Sequence, residues 1–353
     1  MLNGAAPFDA PGLMLFNSWV FAVFFSVVGG AYFALGRSLR AQNLMLLVAS
    51  YVFYGAWDWR FLALLMFSTT LDYYVAVLLE RAEQSRRKRL LLVSVIANLT
   101  ILGFFKYFNF FIGSMESLLA SAGVSVPRLG LEVVLPVGIS FYTFQAMSYT
   151  IDVYRGKPAC RDLPEFALFV AFFPQLVAGP IERATDLLPQ IQKPRTVTAG
   201  DVNMGLHLIV WGLFKKVVIA DNAAGIANRV FNDHTSYQGL DLWLGALAFT
   251  LQIYGDFSGY SDIARGTARL LGFRLMLNFR LPYLAGNPSE FWRRWHVSLS
   301  QWLRDYLYVP LGGNRGSTLS TYRNLMLTMV LGGLWHGAAW NFVVWGTYHG
   351  LLL

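Results

Sequence analysis

Apolar residues fall along this chain in runs long enough to enter a membrane. A bilayer core of ~30 Å takes about 20 apolar residues in a helix. Met14–Leu35 reaches that length, with Trp19 and Tyr32 near its ends. The first thirteen residues hold no Lys or Arg and the run is longer than a signal-peptide core, so it reads as a retained first span. Asn43–Trp57 is short, Phe61–Leu79 and Leu90–Ile112 are full length, and Val133–Ile151 is adequate. Further runs lie at Phe166–Ala178, Leu206–Ala227, Leu240–Tyr254 and Asn324–Leu353, the last with no Asp, Glu, Lys or Arg in 30 residues. Pro174, Gly179, Pro180, Pro189 and Pro194 interrupt the middle of the chain. Phe166–Ala178 therefore reads equally as a short span or as a re-entrant or interfacial segment, which is tolerated where protein or a wet cavity covers the backbone. The pattern predicts an all-α, polytopic integral membrane protein.

Composition agrees. Hydrophobic residues make up 56% and charged residues 14%, against about 25% charged in a soluble domain, which excludes disorder and points away from a soluble globule. The formal charge of +8 raises nucleic acid as a partner. The basic residues lie between apolar runs, however, so membrane lipids explain them better than nucleic acid. Arg37 and Arg40 follow the first run, Glu80–Arg89 (ERAEQSRRKR) follows the third, and Arg155, Lys157 and Arg161 follow the fifth. If every run crosses once, all three loops share one side, the cytoplasmic one, and the N-terminus lies outside. Cys160 is the single cysteine, so neither an intramolecular disulfide nor a Cys-based zinc site is available. No fixed-period repeat or soluble domain is visible, and a loop such as Gly113–Leu131 is too small to fold alone. Residues 1–353 read as one membrane domain. Because Tyr348–Leu353 still lie in an apolar run, the natural chain is expected to continue.

Asn287–Val309 (NPSEFWRRWHVSLSQWLRDYLYV) has another character. Asn287 can cap a helix, Pro288 fits its first position, and Glu290 stands where a capping-box acid belongs. At ~100° per residue, Phe291, Trp292, Trp295, Leu299, Trp302, Leu303 and Tyr306 share roughly a 120° arc. Arg293, Arg294, Gln301, Arg304 and Asp305 take the other side, and His296 the edge of the apolar arc. Trp on one face and Arg on the other describe an interfacial helix. Its arginines could meet lipid phosphates, or neutralise an anionic donor such as a coenzyme A phosphate.

Polar groups inside apolar runs are costly and tend to be paired or functional. His336 lies in Leu331–Trp340 (LGGLWHGAAW), within the uncharged run. A neutral imidazole there can take a proton from an alcohol, and Gly332, Gly333 and Gly337 leave room for a substrate or a helix. On its own, such a histidine is more often a satisfied core residue. His349 reads as structural, and His207 and His234 have no supporting cluster. No H-x-x-x-H or H-E-x-x-H pattern exists, so no metal is expected. Asp256–Asp262 (DFSGYSD) reads either as the polar wall of a substrate path, with Asp256 facing it, or as a helix break whose side chains cap freed amides. Asp72 and Lys106 fall within runs and read as an ion pair with each other.

The stretches Tyr51–Asp58 (YVFYGAWD), Leu135–Gln145 (LPVGISFYTFQ), Ser148–Gly156 (SYTIDVYRG), Phe172–Arg183 (FFPQLVAGPIER), Asp256–Arg265 (DFSGYSDIAR), Phe291–Gly313 (FWRRWHVSLSQWLRDYLYVPLGG) and Gly332–Ala338 (GGLWHGA) together resemble the membrane-bound O-acyltransferase (MBOAT) superfamily. Within it, the chain is similar to the bacterial branch of alginate O-acetyltransferase membrane subunits and peptidoglycan-acetylating relatives. The resemblance implies a ring of tilted transmembrane helices around a funnel, with interfacial and re-entrant helices. It implies that His336 is the essential histidine, as general base or as the group that briefly carries the acyl. His296 falls at a second marked position, where relatives carry Asn instead, which suggests a supporting role. Arg293, Arg294, Arg304, Asp256 and Trp335 are candidates for substrate contact. No cofactor is expected to stay bound; acetyl-CoA is the expected acyl donor. The expected acceptor is a polysaccharide or cell-wall glycan reached through a separate periplasmic acetyltransferase, with the chain in the bacterial inner membrane. Met14 and the residues after it resemble the family's usual start, so residues 1–13 read as an extension. Two alternatives stand: D-alanyl or other acyl transfer to teichoic acid from a carrier protein, and a transporter or scaffold without chemistry.

Overall fold

The computed structural model describes residues 14–36, 38–124 and 132–353. Residues 1–13, Arg37 and residues 125–131 lie outside the described residues, and with them the extension at the start and one basic residue used for orientation; of the stretch read as a loop from Gly113, residues 113–121 are helical. In chain order the helices are α1 (Trp19–Ala34), α2 (Leu39–Asp58), α3 (Leu62–Arg81), α4 (Gln84–Leu102), α5 (Phe108–Ser121) and α6 (Ile139–Tyr154). There follow α7 (Leu163–Ala171), α8 (Phe173–Leu176), α9 (Ala184–Ile191), α10 (Ala199–Leu213), α11 (Asp221–Asn232) and α12 (Leu240–Leu270). The last four are α13 (Pro288–Arg294), α14 (Val297–Leu303), α15 (Thr318–His336) and α16 (Trp340–Leu352). Wider π-helical turns join α4 to α5 (Gly103–Tyr107) and α10 to α11 (Phe214–Ala220), and one follows α14 (Arg304–Tyr308). No strand occurs among the described residues.

The all-α membrane reading holds. Among the described residues, three helical stretches are long and apolar enough to cross a membrane: Leu39–Arg81, Gln84–Ser121 and Ala199–Asn232. Val133–Ile151 is not one of them. Gly138, at φ +75°, turns the chain into α6 only at Ile139, and a left-handed backbone suits glycine best. Twelve of the 16 residues of α6 are buried, so protein surrounds it on all sides. Phe166–Ala178 divides into α7 and α8, both buried throughout their apolar length. At ~1.5 Å per residue neither can cross ~30 Å.

The chain forms two compact units, one comprising residues up to Thr69 with Asp162–Asn278, the other Thr70–Arg161 with Phe279–Leu353. In the first, Phe24, Phe53 and Phe173 meet with ring centres 5.3–5.7 Å apart, joining α1, α2 and α8. Small residues set its second packing contact. A Cβ on Gly212 of α10 would lie 2.6 Å from the Gly259 carbonyl oxygen of α12, and one on Gly266 would lie 2.6 Å from the Gly205 oxygen. Helix backbones that approach this closely require glycine. Asp256–Asp262 is accordingly no helix break: α12 runs unbroken for 31 residues, because Gly255 and Gly259 pack against the turn 214–220.

In the second unit, Asp72 and Lys106 do not pair with each other. Asp72 accepts from Ser94 Oγ, from Asn98 Nδ2 at 2.9 Å and from Thr150 Oγ1 at 3.2 Å, tying α3 to α4 and α6. Three neutral donors satisfy the buried carboxylate, while Lys106 donates to Ser140 and to the Trp335 carbonyl instead. Replacing Asp72 by Ala strands the buried Ser94 hydroxyl without its acceptor, at about 1–3 kcal/mol for an orphaned group. Thermal unfolding in detergent should place Asp72→Ala below wild type and below Asp72→Asn, which keeps an acceptor oxygen. Equal midpoints for all three would deny this network a stabilising role.

Candidate active site

The uncharged run 324–353 is a helical hairpin and not one continuous helix. α15 stops at His336 and the chain turns through Gly337–Ala339 into α16, which returns antiparallel. A Cβ on Gly337 would collide with the Phe342 ring, and one on Gly333 with the Phe342 carbonyl oxygen. Further along, Gly346 faces the Met329 carbonyl and Gly350 faces Met326. These glycines let the helices close on each other and leave His336 at the corner, half-buried. Its ring lies edge-on to Trp335 and Trp345, centroids 5.2 and 5.1 Å away. No hydrogen bond joins it to another described residue. A half-buried imidazole with both nitrogens unengaged is available to a substrate in a way that a satisfied core histidine is not.

His296 belongs to the same unit. The expected helix over Asn287–Val309 starts as anticipated: Asn287 accepts from the Glu290 N–H at 2.9 Å, and Pro288 is its first residue. It does not continue. α13 ends at Arg294, Trp295 is extended, and His296 takes left-handed angles (φ +42°, ψ +56°) before α14 begins at Val297. The break takes His296 off the edge of a helix and into the interior, where it is 1% exposed. A non-glycine residue in this region is strained, and such strain gathers at functional sites. Ser298 Oγ lies 3.4 Å from its Nδ1, and its ring centre is 6.4 Å from that of His336 and 5.7 Å from that of Trp335. Trp335 is buried against Phe141, and its indole N–H finds no partner among the described residues. His336, His296 and Trp335 are thus brought together.

The other candidates divide. Trp295, Leu299 and Trp302 are buried as the apolar face requires, and Trp302 stacks on Phe144 at 3.8 Å while donating to its carbonyl at 2.9 Å. Arg293 is exposed and makes no ion pair among the described residues. Arg294 pairs with Glu290, and Arg304 with Asp305 at 2.7 Å. The Gly286 N–H and then Arg294 hold the Glu290 carboxyl below its ordinary range, so it stays ionised near neutrality. Asp256 sits in the first unit, where Lys216 of the turn 214–220 reaches both it and Asp221 at 2.7 Å. Lys215 of the same turn pairs with Asp262 at 2.6 Å. The first unit thus gives Asp256 a cation of its own. Among the described residues, no three His, Cys, Asp or Glu side chains gather as a metal site needs.

Sequence reasoning missed Lys215 and Lys216 as the cations of Asp262 and Asp256, and it gave Lys106 the wrong partner. The available signal was lysine beside aromatic residues inside apolar runs, FKY and FKK.

These features place a half-buried histidine at a helix corner beside a second, fully buried one, in a chain with helices long and apolar enough to cross a membrane. Residues 159–353 match the MBOAT, membrane-bound O-acyltransferase, family, and the chain belongs to that family. It is 48% identical over 344 residues to the probable alginate O-acetylase AlgI of Pseudomonas aeruginosa, covering 96% of this chain and 65% of that one. It is 38% identical over 373 residues to the peptidoglycan O-acetyltransferase of Helicobacter pylori, covering 97% and 70%. A teichoic acid D-alanyltransferase of Bacillus subtilis is 31% identical over 232 residues, covering 62% and 58%. The chain spans about two thirds of the length of the relatives it matches.

Proposed function

We propose that this chain is an O-acetyltransferase of the bacterial inner membrane, its N-terminus outside. It moves an acetyl group from cytoplasmic acetyl-CoA to a hydroxyl of an extracytoplasmic acceptor, an exopolysaccharide such as alginate or a cell-wall glycan. The observation that carries this reading is His336, half-buried at the α15–α16 corner with no hydrogen bond to another described residue and His296 beside it. The names of the P. aeruginosa and H. pylori relatives support it. His336 acts as general base: it takes the acceptor's hydroxyl proton as that oxygen attacks the thioester carbonyl. The carbon–sulfur bond breaks, and the departing thiolate takes the proton back. His296 supports the site through its buried ring. Exposed Arg293 is best placed of the three arginines to meet donor phosphates, since Arg294 and Arg304 already hold carboxylates. Handing the acetyl to the final glycan falls to a periplasmic acetyltransferase partner.

The test supplies the full-length protein in lipid vesicles with acetyl-CoA and, separately, with a D-alanyl-loaded carrier protein. With alginate and the periplasmic acetyltransferase partner present, release of CoA is expected, and no turnover of the carrier. Turnover of the carrier alone would transfer the chain to the D-alanyl reading. Turnover of neither would remove acetyl-CoA as the donor.

A further inference from the structure

The last carbonyls of an α-helix have no intrahelical donor. At the end of α15 the Gly337 N–H returns to Gly333 O at 3.3 Å, which leaves the carbonyls of Leu334 and Trp335 to be met from elsewhere. One π-helical turn, Gly103–Tyr107, meets both. The Tyr107 hydroxyl donates to Leu334 O at 2.8 Å, and Lys106 Nζ donates to Trp335 O. Lys106 also donates to Ser140 Oγ of α6 at 2.8 Å and lies 5.4 Å from the centre of the Trp335 ring. All of these groups belong to the second unit. Three features set the arrangement apart from ordinary packing. A lysine inside an apolar span is costly to keep there. Its N–H donor meets the negative end of the α15 dipole. The π turn that presents it is an irregularity that favours functional sites.

We propose that Lys106 and Tyr107 are positioning residues for His336, clamping the two carbonyls that precede it and so fixing the direction of the imidazole at the helix end. This rests on the reading of His336 as the base. Neither residue touches substrate; each acts through α15. Removing a clamp should therefore lower kcat and leave the donor KM as it was.

The experiment compares wild type, Lys106→Met, Lys106→Arg, Tyr107→Phe and His336→Ala in vesicles, reading CoA release from acetyl-CoA with alginate and the periplasmic partner present. Lys106→Met should lose about 10–100-fold in kcat, the scale on which misplacement of a reacting group by an ångström acts, with donor KM within about twofold. Tyr107→Phe, which deletes one hydroxyl, should lose less in the same pattern, and Lys106→Arg should recover most of the rate because a guanidinium also donates to a carbonyl. Unchanged kcat in Lys106→Met and Tyr107→Phe, with turnover abolished in His336→Ala, would overturn the positioning role and leave the base intact. A raised KM at unchanged kcat would overturn it by making Lys106 a donor contact. Full turnover in His336→Ala would remove the base reading itself. Where Lys106→Met fails to fold, Tyr107→Phe decides.

Discussion

His336→Ala should abolish acetyl-CoA turnover while the protein folds and inserts as before. A positioned general base contributes about 10²–10⁴-fold to a proton-transfer step, so CoA release should fall by that much at unchanged donor KM. The folding side of the prediction follows from the contacts. His336 ends α15 instead of sitting within it, is half-buried, and holds no other described residue by hydrogen bond. Its loss orphans no partner; what goes is edge contact with Trp335 and Trp345. Expression, detergent extraction and unfolding temperature should match wild type, and turnover within tenfold of wild type would refute the assignment. His296 gives an internal comparison. Its left-handed backbone is tolerated better by Asn than by Ala, so His296→Asn should keep more activity and stability than His296→Ala, and both should keep more activity than His336→Ala.

Much of this site was legible in the sequence, because burying polar groups among apolar ones is costly enough to leave a mark. The membrane class follows from the runs and the 14% charge, and His336 stands out for lying where charge is otherwise absent. What the pattern could not show was where helices stop. Asn324–Leu353 has no break in hydropathy, yet it is two helices, since the stop at Gly337 is set by the Phe342 ring packing over it. The amphipathic arc over Asn287–Val309 continues smoothly through His296, while the backbone there takes left-handed angles. Hydropathy is blind to both, being a sum over side chains and not over backbone angles. Partner choice was the other gap. Asp72 and Lys106 look like a pair because each is the nearest opposite charge in a list of spans. Their partners come instead from helices far along the chain, Thr150 for one and Trp335 for the other. The opposite error occurred at Asp256–Asp262, where a glycine among polar residues suggested a break. Gly259 is there so that α10 can come close, a role its seven-residue spacing to Gly266, matched by Gly205 and Gly212, could have signalled.

The same logic makes Gly346→Ala a damaging methyl to add to the hairpin. Its Cβ would lie 2.5 Å from the Met329 carbonyl oxygen and 2.8 Å from Val330 Cα. Both are backbone atoms, which cannot swing aside as a side-chain end would, so α16 must move off α15. Overpacking of this kind costs about 1–3 kcal/mol, and here the displaced element carries one wall of the corner at His336, through Trp345, the residue before Gly346. A shift of about 1 Å at a reacting group costs on the order of 10²-fold in rate. Gly346→Ala should therefore lower both the unfolding temperature in detergent and kcat. Gly30→Ala in α1 is the matched control, since nothing lies within 4 Å of the Cβ it would add. Exchange of helical glycine for alanine in open space is favourable by about 1 kcal/mol, so that variant should unfold no lower than wild type and turn over normally. The two substitutions are chemically the same and differ only in what the new methyl meets. If both proved neutral, the close approach of α15 and α16 would not be what holds His336 in place, and the corner would have to owe its shape to the clamp from Lys106 and Tyr107 alone.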